Sequence, residues 1–122
     1  MSRLERLIRR HYEEQTNESL DALAEGMRGM TTLLVPLSGP PAPGLGLPVI
    51  CVTTELGGCV PAFTTVERIA GWKPGAQYAD IPGKVLVSMA SRMPQIAGLY
   101  LDMSHTPNSW LPRAKFASIL AA

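Results

Sequence analysis

The hydrophobic period of this chain changes once, near Met30, and that change constrains its fold more than any motif does. Up to Gly29 the apolar residues recur at helical spacing. Leu4, Leu7, Ile8 and Tyr12 form one stripe, with Arg3, Arg6, Arg9 and Arg10 mostly away from it. Ser2 and Glu5 have the spacing of a capping box before it. "TNES" interrupts the run and offers Thr16 or Asn17 as a new N-cap. Leu20, Leu23, Ala24 and Met27 make a second stripe, which Gly26 and Gly29 weaken and end.

Beyond Met30 the apolar runs shorten and sit between prolines and glycines. "TTLLVPL" (Thr31 to Leu37) predicts a strand. "SGPPAPGLGLP" is a loop by composition, with four prolines and three glycines in eleven residues. Val49–Thr54 and Cys59–Thr64 predict a hairpin turning through "ELGG", with Cys59 opposite Thr54. Ile50, Val52 and Phe63 then share one face, and Val49, Val60 and Ala62 the other. "AFTTVERIAGW" predicts a short helix and "QYADI" a brief strand. "PGKVLVSMASRM" predicts a helix with Val85, Leu86, Met89, Ala90 and Met93 on one face. "IAGLYLDM" is apolar almost throughout and predicts a central strand. "SHTPNSW" is a polar loop. "LPRAKFASIL" predicts a closing helix with Pro112 in its first turn and Phe116, Ile119 and Leu120 buried.

The expected fold is α/β, with α+β as the alternative: one structural domain, a mixed sheet of about four or five strands, and flanking helices. Residues 1–29 are expected as a helical extension and 30–122 as the α/β domain. A chain of 122 residues suffices for a core without staples. The helices of the extension could pack on the sheet or reach a partner.

Composition narrows the function classes. Eleven basic and ten acidic residues give a net charge of +1, which supplies no footprint for nucleic acid and no attraction to an anionic membrane. No stretch approaches the ~20 apolar residues of a membrane span. "MSRLERLIRRHYEEQ" carries charges throughout instead of an apolar signal core. A cytoplasmic location follows as the expectation. The two cysteines, Cys51 and Cys59, fall on opposite faces of the expected hairpin, offset by roughly 10 Å along it, and are expected to stay reduced.

No catalytic or metal motif stands out. Neither cysteine lies near a histidine, and no G-x-S-x-G, Cys-x2-Cys or His-x3-His spacing occurs. "GLG" at 44–46 precedes a strand instead of following one, so it lacks the helix N-terminus of a phosphate cradle. No cofactor and no metal are expected, and no enzymatic activity. The candidate binding surface is the loop 102–110, with Asp102, Ser104, His105, Asn108 and Trp110 where a central strand ends. Phe63, Thr64, Glu67 and Trp72 form a structural motif, in which Thr64 and Glu67 have capping-box spacing.

Two stretches carry a family resemblance. "PAFTTVERIAGW" and "PGKVLVSMASRMPQIAGLYLDMSHTPNSWLPR" resemble the N-terminal domain of the SseB proteins, bacterial proteins named for enhanced serine sensitivity. The shared features are a strand ending in proline ("LLVPL"), the turn at Phe63, Thr64 and Thr65 with Glu67 and Trp72, and the entry at Leu111 and Pro112. Asp102 and Met103 stand where the family usually has Asn-Pro. The resemblance runs from about Met30 to the end and implies a non-catalytic interaction or regulatory domain. It supplies no catalytic residues.

Three functions compete on these grounds. The first is a cytosolic protein-interaction module with a protein partner, the N-terminal helices being a candidate homodimer face. The second is a small-ligand binder or enzyme using loop 102–110. The third is a secretion-associated chaperone or a toxin-immunity protein.

Overall fold

The computed structural model describes residues 2–29, 31–40, 44 and 46–121. Part of the expected Pro/Gly loop, including Leu45 of "GLG", lies outside them. The described chain forms one small α/β domain with mixed sheets. Its first helix, α1 (Arg3–Glu14), starts at the expected capping box: the Ser2 and Glu5 side chains each accept the other's backbone N–H at 3.2 Å. The second, α2 (Asn17–Arg28), is capped by Thr16, which exchanges the same pair of bonds with Ser19. The expected stripe on α1 needs one correction. Leu4 and Ile8 are buried, but His11 completes the face and Tyr12 is 41% exposed. His11 continues the i, i+4, i+7 line from Leu4, and Tyr12 lies one residue past it.

Strands β1 (Thr32–Pro36), β2 (Val52–Thr54) and β3 (Gly57–Ala62) precede helix α3 (Val66–Trp72). Strand β4 (Tyr78–Pro82), helix α4 (Gly83–Ser91), strands β5 (Ile96–Leu101) and β6 (Ser109–Pro112), a 3-10 turn (Arg113–Lys115) and helix α5 (Phe116–Leu120) follow. Four strands form a sheet in the order β2-β3-β5-β6, with β3 and β5 parallel and the outer pairs antiparallel. Strand β5 is internal, as its apolar run predicts. Strands β1 and β4 form an antiparallel ribbon. It joins the larger sheet where Leu34 and Phe63 exchange two backbone hydrogen bonds of 2.8 Å.

The hairpin register differs from the expected one by two residues. Cys59 faces Val52 instead of Thr54, and the turn is only Glu55 and Leu56. Gly57 and Gly58 belong to the strand, because β5 runs against them. A Cβ on Gly58 would lie 2.7 Å from the Gln95 carbonyl oxygen, and one on Gly57 2.8 Å from the Ala97 Cβ. A slip of two preserves the side-chain faces. Cys51 and Cys59 therefore still alternate, though the offset of roughly 10 Å does not hold. Both are free, Cys51 exposed and Cys59 buried. Burial, with Cys51 adding to it, pushes the Cys59 thiol up to about 11.

The last expected helix is also corrected. Leu111 and Pro112 belong instead to strand β6, together with Ser109 and Trp110 of the expected polar loop, and the helical turn begins only at Arg113. Proline is tolerated there because β6 is an edge strand. On α4 the buried face holds Leu86, Val87 and Ala90, while Val85 is 48% exposed. The C-terminal end of α4 is closed by Arg113, whose guanidinium donates to the carbonyl oxygens of Ser91 (2.6 Å), Met93 (2.9 Å) and Ile96 (2.8 Å). Leu4, Ile8, Leu23 and Met27 pack in the same core as Leu33, Val60, Leu99 and Leu111. The two N-terminal helices thus cover the sheet.

Candidate functional site

Asp102 ends β5 with a left-handed backbone (φ 56°) and is fully buried. Its carboxylate accepts the Thr64 backbone N–H and the Thr64 hydroxyl, both at 2.8 Å, and an N–H of Arg68 at 2.5 Å. Arg68 continues outward to Glu5 at 3.7 Å. Burial pushes the Glu5 carboxyl up, but the Ser2 hydrogen bonds and the Arg68 charge outweigh it and hold the pKa below the usual range. The chain Glu5–Arg68–Asp102–Thr64 therefore ties α1, α3 and the end of β5 together.

This network replaces the expected Thr64–Glu67 capping box. The α3 N-cap is Thr65, whose hydroxyl accepts the Arg68 backbone N–H at 3.2 Å. Glu67 is exposed. Phe63 and Trp72 do work as scaffold: their rings lie 5.5 Å apart, beside Leu34 and Ile69. His105 joins them edge-on to Phe63 at 6.4 Å, and its Nε2 bonds the Arg68 carbonyl oxygen at 2.7 Å. Ser104 is exposed on a left-handed backbone (φ 68°). Asp102 and His105 are thus turned into the fold.

Asn108 and Trp110 go elsewhere. They line a cleft of about 370 Å³ between the α1–α2 elbow and the β5–β6 edge, together with His11, Gln15, Tyr100 and Leu56. Tyr100 and Trp110 face each other across β5 and β6, with ring centroids 5.7 Å apart and planes at 88°. Gly98 makes room for this pair, since a Cβ there would lie 2.7 Å from the Trp110 ring. His11 is held from behind by the Ser19 hydroxyl at 2.7 Å, and burial lowers its pKa. Leu56, at the hairpin tip, is 53% exposed.

The loop residues expected to act together are therefore divided between an internal staple and a cleft wall. His11, Gln15 and Tyr100 were missed as site residues. His11 carried one signal, a polar side chain on the buried line of an amphipathic helix. Among the described residues, no cluster of three or more His, Cys, Asp or Glu side chains could hold a metal ion. No helix among them is long and apolar enough to cross a membrane. Comparisons with protein-family models, curated proteins and solved structures each return no match.

Proposed function

We propose that this protein is a non-catalytic recognition domain of the cytoplasm, an interaction or regulatory module of the kind the SseB resemblance implies, and that it engages a protein partner through the cleft. One observation carries the reading. Side chains from the α1–α2 elbow, the hairpin tip, β5 and the 102–110 loop converge on a single concave surface. The Asp102 and His105 side chains, by contrast, bond within the fold. Aromatic side chains with a polar tip, such as Trp110 and Tyr100, are typical anchors of such surfaces. Leu4 and Ile8 are buried in the core, so a second copy would meet α1 on its charged outer face. The cleft volume, at the small end of ligand pockets, favours a second reading in which a small molecule occupies the same place.

Immobilised protein and its Leu56→Asp variant test the reading against native extract. Leu56 is exposed, so the change leaves the core intact. A partner held by the wild type, lost by Leu56→Asp and kept by a Val85→Asp control is expected. Equal retention by all three overturns the cleft as the binding surface, and turnover of a small molecule overturns the non-catalytic reading.

A further inference from the structure

We propose that the free edge of β4 takes up an extended peptide as an antiparallel strand, and that this peptide carries a basic residue opposite Asp80, a carboxylate beside Lys73 and apolar side chains between them. The edge shares no lining residue with the cleft, so it is a second surface.

The edge is open because β1 spends its hydrogen bonds elsewhere. In the ribbon Leu34 lies opposite Asp80 and Pro36 opposite Tyr78. Leu34 donates its N–H to Phe63 and accepts the Phe63 N–H, both at 2.8 Å. Pro36 has no N–H, and its carbonyl oxygen accepts from Ile50 at 3.0 Å. Bonded and unbonded residues alternate along an antiparallel pair. The backbone N–H and C=O groups of Tyr78 and Asp80 therefore point away from β1. Among the described residues no group outside the ribbon bonds them. The free run is short, because Pro82 has no N–H to add.

Apolar hollows flank this edge on both faces. Tyr78 and Asp80 stand on the face of Leu34, against which Ile69 of α3 packs. Val66, Ile69, Ala70 and Tyr78, with Lys73, line a hollow of about 170 Å³ there. Ala79 stands on the other face with Val35. Leu37, Pro40, Gln77 and Ala79 help to line a second hollow, of about 320 Å³. Successive side chains of an added strand point to opposite faces, so neighbouring residues can fill the two hollows in turn. Strand addition selects sequence in this way, while the backbone bonds supply the attachment.

Charge decides which strand fits. Asp80 and Lys73 are exposed, and among the described residues neither side chain has a hydrogen bond or an ion pair. Lys73 precedes the edge and Asp80 lies toward its end, so the surface is positive at one end and negative at the other. A strand antiparallel to β4 passes Asp80 first and Lys73 last. Opposite charges on facing residues stabilise such a pair and like charges destabilise it. A basic residue followed by an apolar run and then a carboxylate is therefore the matching order. A second copy of β4 matches less well. Pairing Tyr78 with Asp80 of that copy leaves both charges uncompensated, and centring the pair on Asp80 opposes two carboxylates.

Titration of the whole chain with the peptide acetyl-SRFTVLEG-amide, followed by 1H–15N NMR, tests the proposal. Its arginine stands opposite Asp80, and its phenylalanine and leucine reach the larger and the smaller hollow. The amides of Tyr78 and Asp80 should shift and exchange more slowly with solvent in the complex. N-methylation of the peptide threonine, which faces Tyr78, should weaken binding about tenfold, the size of one lost hydrogen bond. Swapping its arginine and glutamate should weaken binding about threefold, with the difference shrinking as salt rises. Asp80→Pro removes an outward N–H while leaving the bonds to β1, and should also weaken binding about tenfold. Asp80→Asn keeps the backbone and should lose only the charge preference. Equal binding of the methylated and unmethylated peptides, shifts confined to other surfaces, or no binding overturns the proposal. So does protection of the Tyr78 amide that grows with protein concentration in the absence of peptide, since a second copy then holds the edge. If the peptide misses the edge while Leu56→Asp still loses its partner, the edge fails and the cleft reading stands. If the peptide binds the edge while Leu56→Asp keeps its partner, the edge stands and the cleft reading fails.

Discussion

Thr64 gives both its backbone N–H and its hydroxyl to the carboxylate of Asp102, each at 2.8 Å, across 38 residues of sequence. The pair fastens the start of α3 to the end of the central strand. Arg68 neutralises the buried carboxylate and carries the connection out to Glu5 on α1.

Removing one partner of a buried ion pair leaves the other charge uncompensated. Arg68→Ala should therefore destabilise the fold by about 3 kcal/mol, the low end for such pairs because Arg68 is partly exposed. Thr65→Ala should cost about 1 kcal/mol as a lost N-cap, and Glu67→Ala under about 0.5 kcal/mol. Urea unfolding of the three variants checks the order. A Glu67→Ala loss as large as that of Thr65→Ala would restore the capping box that the sequence suggests.

Arg113 donates through a planar fork to four carbonyl oxygens, those of Ala90 and Ser91 at the end of α4, Met93 beyond it and Ile96 at the start of β5. Lysine cannot reproduce that geometry. Arg113→Lys and Arg113→Ala should each lower stability by about 2 kcal/mol, the scale of hydrogen bonds to a charged group. Denaturant midpoints should show the lysine variant close to the alanine one, and full rescue by lysine would mean that charge alone matters.

Gly98 lies under the Trp110 ring and beside the Leu111 carbonyl oxygen. A Cβ there must displace backbone, so Gly98→Ala should cost about 2 kcal/mol by overpacking. Intrinsic fluorescence should report the disturbance at Trp110. An unchanged midpoint and emission spectrum would show that β6 shifts freely.

Burial lowers the pKa of His11 below its ordinary 6.5. The unfolded chain then takes up this proton first as pH falls, so folding stability is complete above 6.5 and declines as pH drops toward the folded pKa. Glu5, also held below its ordinary 4.5, adds a second decline at lower pH, through its own folded pKa. Stability measured between pH 7.5 and 3.5 should show both stages, and His11→Gln should lack the first.

Cys59 is buried with its thiol pushed up to about 11, whereas Cys51 is exposed. At pH 8 a disulfide-exchange reagent should label only Cys51 in the folded protein and both cysteines in denaturant. Rapid labelling of both without denaturant would show that the β2–β3 edge opens readily.

Several elements were legible in the sequence because their signals are local. The Ser2–Glu5 box, the apolar stripes of α1 and α2, strand β1 and the internal position of β5 each follow from neighbouring residues. Strand β6 was not legible. Ser109–Pro112 is short, polar at its start and ends in proline, and it is a strand only because β5 supplies its hydrogen bonds. The glycines of "ELGG" signalled a turn, but both serve the approach of β5. The loop 102–110 was correctly marked as rich in polar groups, yet the sequence could not divide it. Asp102 and His105 find partners on α3, while Asn108 and Trp110 face the α1–α2 elbow.

The sequence by itself determined the two N-terminal helices and α4, which run is central and which residues are apolar enough to form the core. Those properties depend on period, caps and side-chain polarity over a few residues. Tertiary structure alone decided that Thr64 serves Asp102 instead of Glu67, and that His11 turns inward to close a cleft with Trp110. A buried carboxylate or imidazole must be satisfied by whatever the fold brings beside it: Thr64, 38 residues from Asp102, and Ser19, on the next helix from His11.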